Sequence, residues 1–264
     1  MREIAICISN DNQNVTPIET IDAINNAGFK NVFIQWYDEN WNPNQEEQLN
    51  YVRNLGLNVI FAHLGYQGIN NIWIEGEKGD NLVNRFKRNI KECKEHNIDL
   101  VIMHLISGEN PPKYNEIGLS RIREICDYAR EHDVKIAFEN TRDKAYLEYV
   151  LDNIQNENVG ICFDSGHYHA YSKDNFNFER FKDKIFAIHL HDNDKMSDQH
   201  LIPFDGTLDW KYILNKLHQS NYIGPITLEQ CYRYDYLNMT VEEFYNKGYE
   251  VGMKLLEMSK EIGE

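Results

Sequence analysis

Short apolar runs alternate along this chain with longer stretches in which apolar positions recur every three or four residues, the periods of strands and helices respectively. The runs fall at residues 3–9, 31–37, 58–64, 100–106, 135–140, 159–164, 185–191 and 225–230. The amphipathic stretches fall at 17–27, 45–55, 80–96, 119–132, 144–154, 178–182, 210–219 and 241–262, the sixth being short and weakly patterned. Several of these stretches end in a helix-stop glycine followed directly by a run, as in Ala27-Gly28-Phe29-Lys30-Asn31 and Leu55-Gly56-Leu57-Asn58. No Pro/Ser-rich linker or low-complexity block interrupts the alternation. Eight strand–helix repeats in one unbroken series predict parallel strands with crossover helices, closed as a single (β/α)₈ barrel over residues 1–264. An open doubly wound sheet would place a glycine-rich turn after its first strand, and Ile8-Ser9-Asn10-Asp11-Asn12 contains no glycine.

Chemistry concentrates where the runs end. His63, His104, Glu139, Asp164, His189 and Glu229 stand at the ends of runs three to eight. In a barrel those ends form one mouth, so residues distant in sequence converge there. Strand parity gives a direction. Ala137, Cys162, Ala187 and Thr227, two residues before the last four ligand candidates, are small, whereas Phe138, Phe163, Ile188 and Leu228 between them are large and apolar. This pattern points Glu139, Asp164, His189 and Glu229 into the barrel and the large residues toward the helices. A single acid or histidine at a strand end is usually solvated, but six in register are not explained that way. Carboxylates crowded into one mouth repel and lose hydration, and a divalent cation relieves both costs. Oxygen and imidazole donors without thiolate suit Zn²⁺, Mn²⁺ or Co²⁺, with Mg²⁺ compatible.

Trp36, Tyr37, Tyr66 and Trp73 supply either an apolar wall against a sugar ring or packing for the barrel's capping loops. His96, His132 and His218 lie near helix C-termini, where an imidazolium complements the dipole. His169 and His191 share a face with stronger candidates two residues earlier, and no role is assigned to them.

Composition narrows the partner. Apolar residues make up 42% and charged residues 26%, ordinary values for a globular protein, and the formal charge is −15. A nucleic-acid backbone is bound by Lys and Arg displacing counterions, so extended nucleic acid is disfavoured. The acidic segment Asp38-Glu39 after run two argues the same way. The apolar run near Met1 is too short for a signal-peptide core or a membrane span, and the five scattered cysteines form no C-x-x-C pair, which places the protein in the cytoplasm as reduced thiols. Many barrels are dimers or tetramers, and a homo-oligomer is compatible with this chain, although the sequence locates no interface.

The motifs Ala137-Phe138-Glu139-Asn140, Gly160-Ile161-Cys162-Phe163-Asp164-Ser165-Gly166-His167, Ile188-His189-Leu190-His191-Asp192, Asp198-Gln199-His200, Gly206-Thr207-Leu208-Asp209-Trp210 and Ile226-Thr227-Leu228-Glu229, in this order, resemble the xylose-isomerase-like TIM barrel superfamily. That superfamily joins sugar and sugar-phosphate isomerases and epimerases, inosose dehydratase and endonuclease IV. The resemblance implies one divalent metal held by Glu139, Asp164, His189 and Glu229, with Glu139 and Glu229 also the acid/base pair. It further implies substrate contacts from His167 and His200; His63, His104 and Trp36 are added to that substrate-contacting set. The activity it implies is isomerisation or epimerisation of a small sugar or sugar phosphate through a metal-stabilised enediolate. Three alternatives stand beside it: an inosose- or dehydroshikimate-type dehydratase, an endonuclease IV-like phosphodiesterase, and a sugar-binding barrel without turnover. For the endonuclease branch, His63, His104, His167, Asp198 and His200 resemble additional metal ligands. Arg142, Lys195 and Arg233 follow runs five, seven and eight without forming a recognisable anion cradle, which leaves phosphate recognition open.

Overall fold

The computed structural model describes residues 2–8, 14–37, 44–171 and 176–263. The Ser9–Asn12 part of the glycine-free turn and the acidic pair Asp38-Glu39 lie outside them. Eight strands, β1 (Ile4–Cys7), β2 (Asn31–Trp36), β3 (Asn58–Leu64), β4 (Leu100–Met103), β5 (Lys135–Glu139), β6 (Val159–Asp164), β7 (Ile185–His189) and β8 (Ile226–Leu228), alternate with helices. The α-helices are α1 (Pro17–Ala27), α2 (Gln45–Asn54), α3 (Glu77–Glu95), α4 (Glu116–Glu131), α5 (Lys144–Asn153), α6 (Ser165–Tyr171), α7 (Phe178–Phe181), α8 (Trp210–His218) and α9 (Val241–Gly263). All strand pairs are parallel, in the order β7-β6-β5-β4-β3-β2-β1-β8. The ends of that order meet through a parallel bridge between Leu190 and Leu228, so the strands form the expected (β/α)₈ barrel.

Local chemistry sets the boundaries. The α1 helix starts at Thr16, whose hydroxyl accepts from the Glu19 backbone while the Glu19 carboxylate reaches back to the Thr16 N–H, a reciprocal capping box with Pro17 at the first position. It stops at Gly28, whose φ of 107° is a left-handed conformation that a side chain would strain. The seven-residue α6, directly after β6, is absent from the sequence pattern, which places only a weak stretch at 178–182. The structure has α6 and the four-residue α7 in that interval. No helix among the described residues is long and apolar enough to cross a membrane.

Two apolar layers follow from strand parity. Phe138, Phe163, Ile188 and Leu228 face the helices in the outer core. Cys7, Phe33, Phe61, Ile102, Ala137, Cys162 and Ala187 fill the barrel interior. The interior is lopsided, with large residues on β2–β4 and small ones on β5–β7, and Thr227 of β8, also fully buried, continues the small side. Phe33 stacks on Phe61 with ring centroids 4.7 Å apart and on the His189 imidazole at 4.8 Å, so the packed floor carries a mouth residue directly. Truncating a buried phenylalanine removes transfer energy and leaves a cavity. Phe33→Ala is therefore expected to lower unfolding free energy by about 3–5 kcal/mol, read from chemical denaturation; a loss under about 1 kcal/mol would show that the interior layer does not carry this load.

Candidate metal centre at the barrel mouth

Each of the last four strands delivers one donor. Glu139 ends β5, Asp164 ends β6, His189 ends β7 and Glu229 follows β8, and all four are buried. The His189 Nδ1 lies 3.4 Å from Glu139 Oε2, 3.3 Å from Glu229 Oε2 and 3.9 Å from Asp164 Oδ2. Neither ring nitrogen of His189 has a hydrogen-bond partner among the described residues. A fully buried imidazole in that state, set among three carboxylates, fits a divalent cation: the donors are oxygen and nitrogen, and the missing partner is one that metal ligation supplies. Cys162 lies one layer below, grouped with Glu139 and His189. Burial pushes its thiol up to about 12, so it offers no thiolate at neutral pH.

Glu139 is the hub. Its Oε2 also meets His63 Nε2 at 3.1 Å and His104 Nε2 at 3.3 Å, and its Oε1 meets His167 Nδ1 at 3.0 Å. Burial raises the carboxyl pKa, but His104 and His189 outweigh it and hold Glu139 well below the usual carboxylate range. A second cluster sits toward the rim, where Asp198 Oδ2 lies 3.2 Å from both His167 Nε2 and His200 Nε2. Burial again opposes ionisation, and His200 with His167 again reverses it, leaving Asp198 well below its ordinary value. In both His63–His104–Glu139 and His167–Asp198–His200, the ligand atoms fall within 4.8 Å of one another, a spacing able to hold a cation. The structure thus brings all nine of these acids and histidines to one mouth.

Polar clamps tie neighbouring strand ends together. The Asn140 side chain accepts from the Asp164 N–H at 2.7 Å and donates to the Asp164 carbonyl at 2.9 Å, joining β5 to β6. Ser165 Oγ donates to the His191 carbonyl and accepts from its N–H, joining β6 to β7. Asp164 Oδ1 accepts from the His167 N–H at 2.6 Å, so this ligand candidate also caps the first turn of α6. His200 Nδ1 rests 2.9 Å from the Glu229 carbonyl.

Not every expected residue reaches the mouth. Trp36 does not: its indole is buried on the helix side of β2 and donates to Glu92 of α3 at 2.9 Å, because Phe33 and Gln35 occupy the inward positions. The assignment of Trp36 to substrate contact is corrected accordingly. Trp73 likewise packs inside, donating to the Leu105 carbonyl, and the Tyr37 hydroxyl meets Gln35. Tyr66 is the aromatic that does border the mouth, stacked on His104 at 4.4 Å with an 11° interplanar angle. His191, given no role from sequence, is fully buried with Nε2 about equally close to both Asp164 oxygens, at 3.1 and 3.0 Å, and its ring lies on that of His200 at 3.9 Å. Its signal was parity, since it continues the inward face of His189. His169 instead meets Thr207 at 2.9 Å.

The loop bearing Asp198 and His200 depends on Asp192, which no strand-end pattern flags. Its carboxylate accepts from the Asn193 and Leu208 N–H groups on one oxygen and from the Phe204 N–H and Trp210 Nε1 on the other. Asp192→Asn turns a donor toward at least two of these donors. Its expected effect is a loss of about 1–3 kcal/mol in local stability, seen as faster hydrogen exchange at the Phe204 and Leu208 amides; unchanged exchange would remove Asp192 as the loop's anchor.

Comparison with known proteins bears on the family and the fold. The family model described as xylose isomerase-like TIM barrel matches residues 21–257. Inosose isomerase of Bacillus subtilis (strain 168) is 28% identical over 190 residues, covering 63% of this chain and 66% of that protein. A probable endonuclease 4 of Mycoplasma capricolum subsp. capricolum is 28% identical over 148 residues, covering 48% of this chain and 50% of that protein. Both matches thus span less than two thirds of those relatives' lengths. Among solved structures, a D-tagatose 3-epimerase-like protein superposes with a TM-score of 0.80 at 20% identity, covering 100% of both chains, a likeness of fold. With its (β/α)₈ barrel and a family match running from α1 into α9, the chain belongs to the xylose isomerase-like TIM barrel family.

Proposed function

We propose that this protein is a divalent-metal-dependent isomerase or epimerase of a small sugar or sugar phosphate, working by proton transfer at a carbon next to a carbonyl. The observation that carries this reading is the placement of Glu139 and Glu229, which enter from β5 and the end of β8 and each bring Oε2 to within 3.4 Å of the same His189 nitrogen. Two carboxylates so placed flank one small volume, as acid/base chemistry on opposite faces of a carbon requires. Names among the relatives support the same class, including inosose isomerase and structures of L-ribulose and D-tagatose-type 3-epimerases.

Glu139, Asp164, His189 and Glu229 would hold the metal, Zn²⁺, Mn²⁺, Co²⁺ or Mg²⁺, which when bound supplies the Lewis acidity that polarises a carbonyl. The protein's own groups then divide the work. Glu139, kept ionised by its histidines, is ready to accept a proton. Glu229 is ionised as well: burial raises its carboxyl pKa, but His189 beside it dominates and lowers it. His63, His104 and His167 orient Glu139 through both its oxygens, and His167 and His200 present the rim to substrate hydroxyls. Phe33 and Phe61 close the floor and keep bulk water from the reacting carbon.

A second reading has its own observation. The clusters His63–His104–Glu139 and His167–Asp198–His200 have the spacing of further metal sites, which favours an endonuclease IV-like phosphodiesterase. The charge of −15 opposes it, since a DNA backbone needs a cationic face.

Two measurements separate these readings. Elemental analysis of the purified protein is expected to return about one tightly held divalent ion per chain, from four convergent ligands. Two or three ions together with zinc-dependent incision of an abasic duplex would transfer the assignment to the nuclease. Deuterium wash-in from solvent, followed by NMR over a panel of ketoses, is expected to show exchange next to the carbonyl. Glu139→Gln and Glu229→Gln should each reduce turnover by about 10²–10⁴-fold, because an amide keeps a ligating oxygen but accepts no proton. Metal content should fall less in these variants than in Asp164→Asn combined with His189→Ala. Full exchange in both glutamine variants would make the carboxylates ligands only.

A further inference from the structure

We propose that a cavity beside the mouth is an anion subsite in which Arg142 receives the phosphate or carboxylate end of the substrate. This rests on the sugar isomerase or epimerase reading above and names the class of sugar it takes, one with a charged terminus. The cavity measures about 150 Å³ and lies between Tyr66 and His104 on one side and Thr141, Arg142 and Tyr171 on the other. His104 and His167 line it and also contact Glu139, so it opens from the reacting centre itself. Whole-ligand pockets usually measure ~300–1,000 Å³, so this volume takes the end of a substrate whose reacting carbons stay over Glu139 and Glu229.

The wall is built for charge at one point. The Arg142 guanidinium lies over the Tyr171 ring with its central carbon 4.2 Å from the centroid, a contact that holds in place a group suited to paired contacts with phosphate or carboxylate oxygens. Its ion pair with Glu109 is 3.9 Å long, beyond hydrogen-bond reach, and the Glu109 side chain is 79% exposed. Such a pair is weak and easily exchanged for a ligand anion. Ser107 and Thr141 line the same wall. The Ser107 segment is held in place, since its N–H donates to the Asn70 side chain and its carbonyl accepts from it, at 2.9 and 2.8 Å. A guanidinium held over an aromatic ring in this wall, three residues beyond Glu139, selects for an anionic terminus. Placed on the loop after β5, it occupies the position from which barrel loops set specificity.

The test is equilibrium binding by calorimetry, with the metal the protein retains, of three probes: D-ribulose 5-phosphate, D-ribulose and D-ribonate. The native chain is expected to bind at least one of the two anions about tenfold or more tighter than D-ribulose, the phosphate and carboxylate arms showing which terminus fits better. In Arg142→Gln that ratio should collapse to near one, and Arg142→Lys should retain part of it, because charge persists without the planar fork. Thermal melting confirms that the variants are folded. Equal affinities, no binding of any probe, or an anion preference that survives Arg142→Gln would overturn the proposal. Binding ratios do not depend on turnover, so loss of the isomerase reading in the exchange experiment and loss of this subsite remain separate results.

Discussion

Three carboxylates taken out of water at one end of a barrel are the constraint to which the rest of this mouth answers. Buried acids must be matched by hydrogen bonds or positive charge, and the protein matches each one. Glu139 is faced by four imidazoles, Asp164 by His191 and a backbone N–H, and Glu229 by His189. Five of the chain's ten histidines are drawn into this matching. His189 stands apart among them because its nitrogens lack hydrogen-bond partners, although it lies at the centre of the acids. Among its neighbours only single atoms, His191 Nδ1 and Asp198 Oδ1, are left without a partner, whereas His189 has both nitrogens unpaired at the point where the acids converge.

The same requirement explains the lopsided interior. Donors on β5–β8 need small residues beneath them, supplied by Ala137, Cys162, Ala187 and Thr227, and Phe33, Phe61 and Ile102 restore the lost volume from the opposite side. The small half was legible in the sequence because period-two alternation with large neighbours marks it. The large half was not, since β2 reads Asn-Val-Phe-Ile-Gln-Trp, with bulky residues on both faces and no chemical anchor to say which face is inward. That ambiguity is why Trp36 looked available for the mouth and is in fact a helix-side residue.

Strand periodicity and strand-end chemistry made the barrel and its convergent acids readable; the links between strands were not. Asn140, Ser165 and Asp192 act through two or more hydrogen bonds each, nearly all to backbone groups of other strands or loops, and no periodicity announces such partners. The α6 helix escaped for a related reason. It is seven residues long and contains Gly166, which sits so close to His191 that any side chain there would strike the ring. Its start signal is Asp164, a residue whose strand-end position had already given it another meaning.

That double use of Asp164 fixes the local grammar of the chain. The carboxylate that points into the mouth also terminates β6 and caps α6, and His167 hangs from the bond so formed. Each residue of a helix turns the next side chain by about 100°, so one residue inserted between Asp164 and His167 would swing the imidazole away from both Glu139 and Asp198. Length variation, which barrel loops ordinarily absorb, is therefore closed to this junction. In this chain the span from β6 into α6 is thus held to one length by the two contacts that His167 makes, with Glu139 on one side and Asp198 on the other.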